Sequence, residues 1–284
     1  MIVVLIGYGE DLEVFKRCRK VWDLYVSTLD TPDVKIFFVQ TCYDQNEEVV
    51  LKNNDLYIKN TFEKGTLHKE NLGTHSDSSP VQSDWTKLGN LETVARQKKM
   101  TQWVFDSYGE SCTHIFYTTI TSIHSITTLI ELVDCLPKHN VYAGKPAFFT
   151  QPFMGHARFM FMGGSNTLLS TDTAKILCVD NDIDQLGFPN DVWVGLRLID
   201  KQKIYLPRYD IEKSPAELGV NCDVDSEIEK AFDAGHFHIR VKSTENRVHT
   251  DHIILLDIYR KFHVGRKPTL ANLLKLSSQM GQTI

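Results

Sequence analysis

Short apolar runs alternate with amphipathic segments through the first half of the chain. Residues 3–6 and 34–39 are continuous apolar runs, typical of buried strands, and the shorter run 56–58 predicts a third strand. Between the first two runs, apolar residues recur at helical spacing from Leu12 to Trp22. Buried strands separated by amphipathic helices are the pattern of a parallel sheet covered on both faces, so we expect an α/β fold.

The pattern continues beyond residue 60. Residues 91–108 predict a helix ending at Gly109, residues 114–117 a strand, and residues 123–136 another helix. The polar stretch 65–89 predicts a long surface loop, of the kind that can cover a substrate.

The second half predicts a less regular, mixed sheet. Residues 141–150 and 159–162 have the character of strands, and residues 163–166 (GGSN) that of a turn leading into a helix. Residues 236–241 predict a further strand and residues 251–263 an amphipathic helix. We therefore expect a smaller mixed sheet beside the parallel one.

Composition narrows the class of protein. The 284 residues are 42% hydrophobic and 24% charged, enough to bury a core and unlike a disordered chain. The net charge of −5 gives no reason to expect a nucleic-acid partner. No segment reaches the roughly 18 apolar residues that span a bilayer. The six scattered cysteines form no Cys-x-x-Cys pair, and residues 1–6 lack a basic flank, so we expect a cytoplasmic protein.

Asp191 is the first candidate for chemistry. It lies in the run PNDVWVG (residues 189–195), at the start of an apolar stretch. A sugar could stack on Trp193 while the carboxylate accepts a hydroxyl proton. Asp191 could equally cap a helix, and spacing alone favours the cap.

Two glycine pairs could present backbone amides to a ligand, although each could be an ordinary turn. Gly163 and Gly164 precede Ser165, and Gly7 and Gly9 follow the first strand. The second pair does not complete Gly-x-Gly-x-x-Gly, which disfavours a dinucleotide-binding fold.

Charged clusters offer two further possibilities. Basic clusters could neutralise a pyrophosphate or could be solvated faces; they comprise Arg96, Lys98 and Lys99, and later Arg240, Lys242 and Arg247. Three alternating carboxylates could bind a hard cation, but we favour an exposed acidic loop; they are Asp180, Asp182 and Asp184.

The order of these features resembles the β-1,3-glycosyltransferase superfamily, of the fringe and β3-galactosyltransferase type, which has the GT-A fold. The similarity covers roughly residues 1–200. The matching segments are Arg19-Lys20-Val21-Trp22, Lys98 or Lys99, Val141-Tyr142-Ala143-Gly144, the stretch from Gly163 to Ser170, and Asn190-Asp191-Val192-Trp193-Val194-Gly195.

The resemblance implies a single GT-A-like domain in which residues 1–140 bind a UDP-sugar donor and residues 141–284 a glycan acceptor. It implies that Asp191 is the general base of an inverting transfer. The expected donor-binding residues are Gly7, Tyr8, Lys98, Lys99, Thr118, Thr119, Thr121, Arg240 and Lys242. The expected acceptor-binding residues are Gly163, Gly164, Ser165 and Trp193.

Two departures from the family bear on cofactor and location. The family carries an Asp-x-Asp metal motif where this chain has Thr119-Ile120-Thr121, so the need for Mn²⁺ or Mg²⁺ stays open. We also expect no counterpart of the family's membrane anchor, since no apolar run is long enough. In this the chain resembles the small glycosyltransferases of large algal viruses, xylosyltransferases among them, which implies a xylose donor and a host-cytoplasm location.

Two other functions remain at this point. A catalytically inactive transferase-like module would bind a carbohydrate or nucleotide sugar without turnover, in keeping with the missing acidic motif. A nucleotide-dependent oxidoreductase would fit the alternating strands and helices but lacks the complete glycine fingerprint.

Overall fold

The computed structural model describes residues 1–9, 12–60, 84–149, 159–211, 224–243 and 247–263. Within these ranges the chain forms an eight-stranded sheet, a three-stranded sheet and helices on both faces of the larger sheet. None of the described helices combines the length and apolar character needed to cross a membrane.

The larger sheet has a parallel centre and antiparallel flanks. Its strands, in spatial order, are β3 (Val49–Lys52), β4 (Asp55–Lys59), β2 (Val34–Cys42), β1 (Ile2–Gly9), β5 (His114–Thr119), β8 (Phe159–Ser170), β7 (Tyr142–Phe149) and β9 (Lys203–Tyr205). Strands β4, β2, β1 and β5 are parallel, and β7 pairs parallel with β9. Strand β3 runs antiparallel to β4, and β8 antiparallel to both β5 and β7.

The smaller sheet is mixed. It consists of β10 (Tyr209–Ile211), β11 (His238–Val241) and β6 (Ser122–His124). Strand β11 pairs parallel with β10 and antiparallel with β6. The predicted α/β class, with a mostly parallel sheet and a smaller mixed sheet, is confirmed.

The membership of the smaller sheet differs from the prediction. Strands β7 and β8 belong to the larger sheet, because β8 pairs directly with the central strand β5. Strand β6 instead comes from the first half of the chain. Both halves therefore contribute strands to both sheets.

The helices divide between the two faces of the larger sheet. One face carries α1 (Glu13–Ser27), α3 (Ile126–Cys135), α6 (Val224–Asp233) and α7 (Arg247–His263). The other carries α2 (Asp84–Tyr108), α4 (Thr171–Cys178) and α5 (Asn190–Arg197). Alternate residues of β5 serve the two cores, since Phe116 packs in the first and Ile115 and Tyr117 in the second.

Two predicted helix boundaries were wrong at their starts. Helix α2 begins at Asp84, so the predicted loop ends earlier, and residues 65–83 of that loop lie outside the described residues. Helix α3 begins only at Ile126, because β6 occupies the preceding residues and the Ser125 hydroxyl caps the helix by accepting the Thr128 N–H at 3.2 Å. The end of α2 is as predicted, at Gly109, which has a φ of +53°.

Both glycine-rich turns were wrong predictions, since each segment continues a strand. Strand β1 runs through to Gly9, with an irregular pairing to β2 between Gly7 and Gly9. Strand β8 runs through residues 163–166 as a bulge, because β7 pairs with Thr167 and then with Met162 across an advance of only two residues. Glycine in a strand commonly marks such a bulge. We call residues 163–166 the β8 bulge.

The carboxyl ends of the parallel strands lie together along one edge of the larger sheet. The four parallel strands β4, β2, β1 and β5 end there, and ligands of open α/β sheets bind at the carboxyl ends of the strands. Strand β8 runs in the opposite direction and pairs Asn166 with Thr118 near the end of β5. The β8 bulge therefore reaches the same edge.

Candidate active site

Asp191 lies where helix α5 meets the β8 bulge. The helix follows Pro189, which occupies the N-cap position and offers no side-chain cap, so the capping role suggested for Asp191 is not the one it has. Asp191 is in the first turn, and its Oδ1 accepts the Val192 N–H at 2.9 Å. Its Oδ2 accepts the Gly164 N–H at 3.4 Å. The carboxylate thus bridges the helix and the bulge.

Two glycines permit this close approach. A Cβ at Gly164 would lie 3.2 Å from the Asp191 Cβ. A Cβ at Gly195 would lie 2.3 Å from the Cβ of Phe161 in β8, closer than side chains tolerate. The glycine that ends the PNDVWVG run therefore allows α5 to pack directly on β8, which fixes the position of Asp191.

The surroundings of Asp191 suit a proton acceptor. Burial raises the pKa of its carboxyl above the ordinary 3.8, and the N–H groups of Gly164 and Val192, with Arg208, only partly offset this effect. A small cavity of about 10 Å³, the size of one water molecule, adjoins the carboxylate. It is lined by Gln97, Tyr117, Gly164, Thr167, Asn190, Asp191 and Val194.

Trp193 does not offer a sugar-stacking surface, which corrects the sequence prediction. Its side chain is 1% exposed and packs in the core beneath α5. Its Nε1–H donates to Asp184 Oδ1 at 2.8 Å. An aromatic ring on the inner face of a short amphipathic helix is a core residue here rather than a ligand contact.

Lys98 and Asp184 form an ion cluster with Arg197. Lys98 Nζ lies 2.6 Å from Asp184 Oδ2 and 2.6 Å from Asp180 Oδ1, and Arg197 Nη1 lies 2.7 Å from Asp184 Oδ1. Asp184 is buried, so the acidic loop is not exposed at this residue. Burial opposes ionisation, but Lys98, Trp193 and Arg197 together lower the pKa of the Asp184 carboxyl. Lys98 therefore pairs with carboxylates where donor binding was expected.

Lys99 points away from Lys98. Its Nζ lies 2.5 Å from Glu48 Oε2 and 3.3 Å from the Lys59 carbonyl oxygen, beside β4. The two lysines therefore do not converge on one anion. Arg96, on the same helix, donates to the Thr41 hydroxyl at 2.8 Å.

Tyr8 is also buried rather than presented to a ligand. Its side chain is 5% exposed, and its ring centroid lies 6.2 Å from that of Phe15 in α1. The strand continues past Gly7, so the side chain enters the core instead of emerging from a turn. Gly7 itself lies beside β5, where a Cβ would approach the Thr118 carbonyl oxygen at 3.4 Å.

The threonines after β5 and the late basic residues come together at the smaller sheet. Thr119 Oγ1 lies 3.1 Å from Ser122 Oγ, and Ser122 is the register partner of Arg240. The Val241 N–H donates to the Thr121 carbonyl oxygen at 2.8 Å. The structure thus joins two of the predicted donor segments that are about 120 residues apart in sequence.

Thr118 and Lys242 complete the predicted donor set. Thr118 is buried at the end of β5, where its hydroxyl bonds to no described group. Lys242 follows β11, and its N–H donates to the Ile211 carbonyl oxygen at 2.9 Å. In the described part of the chain, no group of three or more His, Cys, Asp or Glu side chains could hold a metal ion.

The sequence did not predict a charged group of Arg208, Asp210 and Lys145, which lies between the β8 bulge and the smaller sheet. Arg208 Nη1 donates to Ser165 Oγ in the β8 bulge. Its Nη2 and Nε lie 3.0 and 2.8 Å from the two carboxylate oxygens of Asp210. Lys145 Nζ also contacts Asp210, which is the register partner of Arg240. Arg208 therefore connects the bulge to the smaller sheet.

A weak signal for this group exists in the sequence. Arg208 and Asp210 are two residues apart, the spacing that places side chains on one face of an extended chain. Lys145 lies in another part of the chain, opposite the β8 bulge. Only the strand register brings the three together.

Among solved structures, the chain is similar to the crystal structure of a glycosyltransferase involved in the glycosylation of the major capsid of PBCV-1. The TM-score is 0.42 and the identity 9%, over 89% of this chain and 98% of that chain. No family model matches the sequence, and no curated protein matches it. Function is therefore inferred from the residues of the site.

Proposed function

We propose that this chain is a GT-A-type glycosyltransferase that transfers a sugar from a nucleotide sugar to an acceptor hydroxyl with inversion. Asp191 is the general base. The observation that carries the proposal is a buried carboxylate of raised pKa, held by Gly164 and helix α5 near the carboxyl ends of the parallel strands, where ligands of open α/β sheets bind.

The chemistry follows from that carboxylate. Asp191 takes the proton of the acceptor hydroxyl as the acceptor oxygen attacks the anomeric carbon. The bond from that carbon to the phosphate oxygen breaks, and its electron pair leaves with the nucleoside diphosphate on the opposite face. One base suffices for inversion, whereas retention through a covalent intermediate would require a nucleophilic group at the anomeric carbon.

The donor side is proposed at the ends of β1 and β5 and along the smaller sheet. Gly7 and Thr119 are register partners at these strand ends, and Thr121 accepts the Val241 N–H of the smaller sheet. Arg240 is the register partner of Ser122 in that sheet. Hydroxyl and guanidinium groups are suited to ribose and phosphate oxygens. We propose UDP-xylose as the donor, a glycan hydroxyl as the acceptor and the cytoplasm as the location.

The test is a panel of nucleotide sugars incubated with the full chain, in manganese, in magnesium and in chelator. Release of free nucleoside diphosphate, with or without added glycan, is the readout. We expect one donor to be consumed, with UDP-xylose the first choice. If every donor remains intact at high enzyme concentration, the transferase assignment is wrong.

A second function has one feature in its favour. Thr119-Ile120-Thr121 lies at the end of β5, where the resembling family has its Asp-x-Asp carboxylates. A transferase-like module that binds a nucleotide sugar without turnover would tolerate this change. Calorimetric binding of a nucleotide sugar together with an absence of product would select this alternative.

A further inference from the structure

Asp210 is a mostly buried carboxylate with two cations around it. The side chains of Asp210 and Arg208 are 15% and 10% exposed, and that of Lys145 is 37% exposed. Burial opposes ionisation of Asp210, but Arg208 and Lys145 lower its pKa, so it remains a carboxylate. Two positive charges against one negative charge leave the group with an excess of one positive charge.

Arg208 still has hydrogen-bonding capacity. A guanidinium has five N–H donors, and hydrogen bonds to Asp210 and Ser165 account for two of them; Nε lies 2.8 Å from Asp210 Oδ1 but makes no hydrogen bond there. Asp210 holds the plane of the group in place, so little side-chain freedom remains to be lost when an anion binds. Lys145 adds a second, more exposed ammonium on the same carboxylate.

The β8 bulge places this cation beside the proposed base. A Cβ at Gly163 would lie 3.4 Å from Arg208 Nη1, whereas a Cβ at Gly164 would lie 3.2 Å from the Asp191 Cβ. Consecutive Cα atoms are about 3.8 Å apart, so adjacent residues of one bulge face the cation and the base. Arg208 is also among the groups that offset the raised pKa of Asp191, so its charge acts on the base. In an inverting transfer the base and the leaving group lie on opposite faces of the sugar, so the base and this cation are expected to flank it.

From this geometry we propose that Arg208 and Lys145, held by Asp210, bind the diphosphate of the nucleotide-sugar donor. The inference rests on the proposed function, since a nucleoside diphosphate is the leaving group of that reaction. During transfer, the oxygen of the broken bond gains negative charge, and the preorganised guanidinium and ammonium stabilise it. Arg208 is then a catalytic residue and Asp210 a positioning residue.

The test compares ligands with and without the diphosphate. UDP, uridine and inorganic pyrophosphate are titrated calorimetrically into the full chain and into the variants Arg208→Gln and Lys145→Gln. We expect Arg208→Gln to weaken UDP binding about 10- to 100-fold, as for the loss of charge-assisted hydrogen bonds. Lys145→Gln should weaken it several-fold. Each variant should weaken pyrophosphate binding by a factor similar to that for UDP while keeping uridine binding unchanged.

The matched control is Arg260→Gln, since Arg260 is an exposed residue of α7 whose side chain is 64% exposed and pairs with Asp257. It should leave all three titrations unchanged. Arg208→Lys keeps a charge near Asp210 but loses the fork, so it should recover part of the UDP affinity. If Arg208→Gln does not fold, Arg208→Lys and Lys145→Gln carry the test.

Two results would overturn the inference. One is that folded Arg208→Gln and Lys145→Gln proteins bind UDP and pyrophosphate as tightly as the parent does. The other is that uridine affinity falls in parallel with UDP affinity. Failure of the transferase assignment has a different signature: Arg208-dependent UDP and pyrophosphate binding persists while no nucleotide sugar is consumed. Conversely, donor consumption with unchanged UDP affinity in both variants rejects the subsite and leaves the transferase assignment intact.

Discussion

Asp184 and Asp191 are seven residues apart and have opposite surroundings. The Asp184 carboxylate accepts hydrogen bonds from Lys98, Arg197 and the Trp193 indole, which lower its pKa. The Asp191 carboxylate accepts hydrogen bonds from backbone N–H groups of the bulge and the helix, and burial raises its pKa. The same side chain therefore serves as a structural anion in one case and as a potential base in the other. The number of cationic partners makes the difference.

The largest expected effect is the loss of transfer in Asp191→Asn. The amide cannot accept the acceptor proton, so the rate should fall about 10²- to 10⁴-fold, the usual contribution of a general base. Steady-state assay with the donor found in the nucleotide-sugar panel gives the rate, and UDP calorimetry should show unchanged affinity. Full turnover by this variant would remove Asp191 as the base.

Asp184→Asn should be the most destabilising change at this end of the fold. It leaves Lys98 and Arg197 without their shared carboxylate, and we expect a loss of about 2 kcal/mol in the free energy of unfolding. Urea unfolding followed by circular dichroism measures it. Asp180→Asn is the control, because Asp180 is fully exposed and contacts the same Lys98; it should change stability little. Equal losses in the two variants would contradict the distinction.

Gly164→Ala tests whether the bulge must lie this close to Asp191. The new Cβ would be 3.2 Å from the Asp191 Cβ, so the helix or the bulge must shift by a few tenths of an ångström. We expect transfer to fall about tenfold, in line with the sensitivity of catalysis to small displacements. Kinetics and a thermal melt together separate this from a folding defect. Wild-type rates would show that the contact is not needed.

The two carboxyls should also respond to acid at different pH values. The pKa of Asp191 in the folded protein is raised above 3.8. As pH falls, Asp191 is therefore protonated before Asp184, and activity should be lost as pH passes through the raised pKa. Asp184 has a lowered folded pKa, so its stabilising contribution is present above 3.8 and is lost only as pH falls through the lower value. A pH–rate profile and unfolding at matched pH values should therefore show activity lost before this contribution to stability. Coincident losses would contradict the assignment.

The smallest expected effect is the change in stability of Asp191→Asn. Because the folded pKa of Asp191 is raised, its ionised form at neutral pH disfavours the native state, and the substitution removes that charge. The Asn amide, however, has one acceptor oxygen for the two N–H groups of Gly164 and Val192, which acts in the opposite direction. We therefore expect urea unfolding to give a free energy within about 1 kcal/mol of the parent's. A loss as large as that of Asp184→Asn would make Asp191 a structural residue like Asp184.

Asp191 could be predicted from the PNDVWVG run, because the start of the short helix and the glycine that allows it to pack on β8 both lie within these seven residues. The run could not distinguish a buried Trp193 from an exposed one, since both fit one face of a short helix. Nor could it pair Lys98 with Asp184, 86 residues apart, Lys145 with Asp210, or Arg208 with Ser165. The first contact depends on the packing of α2 and the other two on strand register, which no local pattern records.

The β8 bulge also limits how this chain can change in length. Phe159 and Phe161 precede the bulge in β8 and pack against α5. Leu168 and Leu169 follow the bulge, pair with β5 and contribute to the two cores, one to each. Side chains alternate faces along a strand, so deletion or insertion of one residue within 163–166 would exchange the outward and inward sets on one side. The bulge can therefore vary in the groups it presents, but its residue count is fixed by the packing at both of its ends.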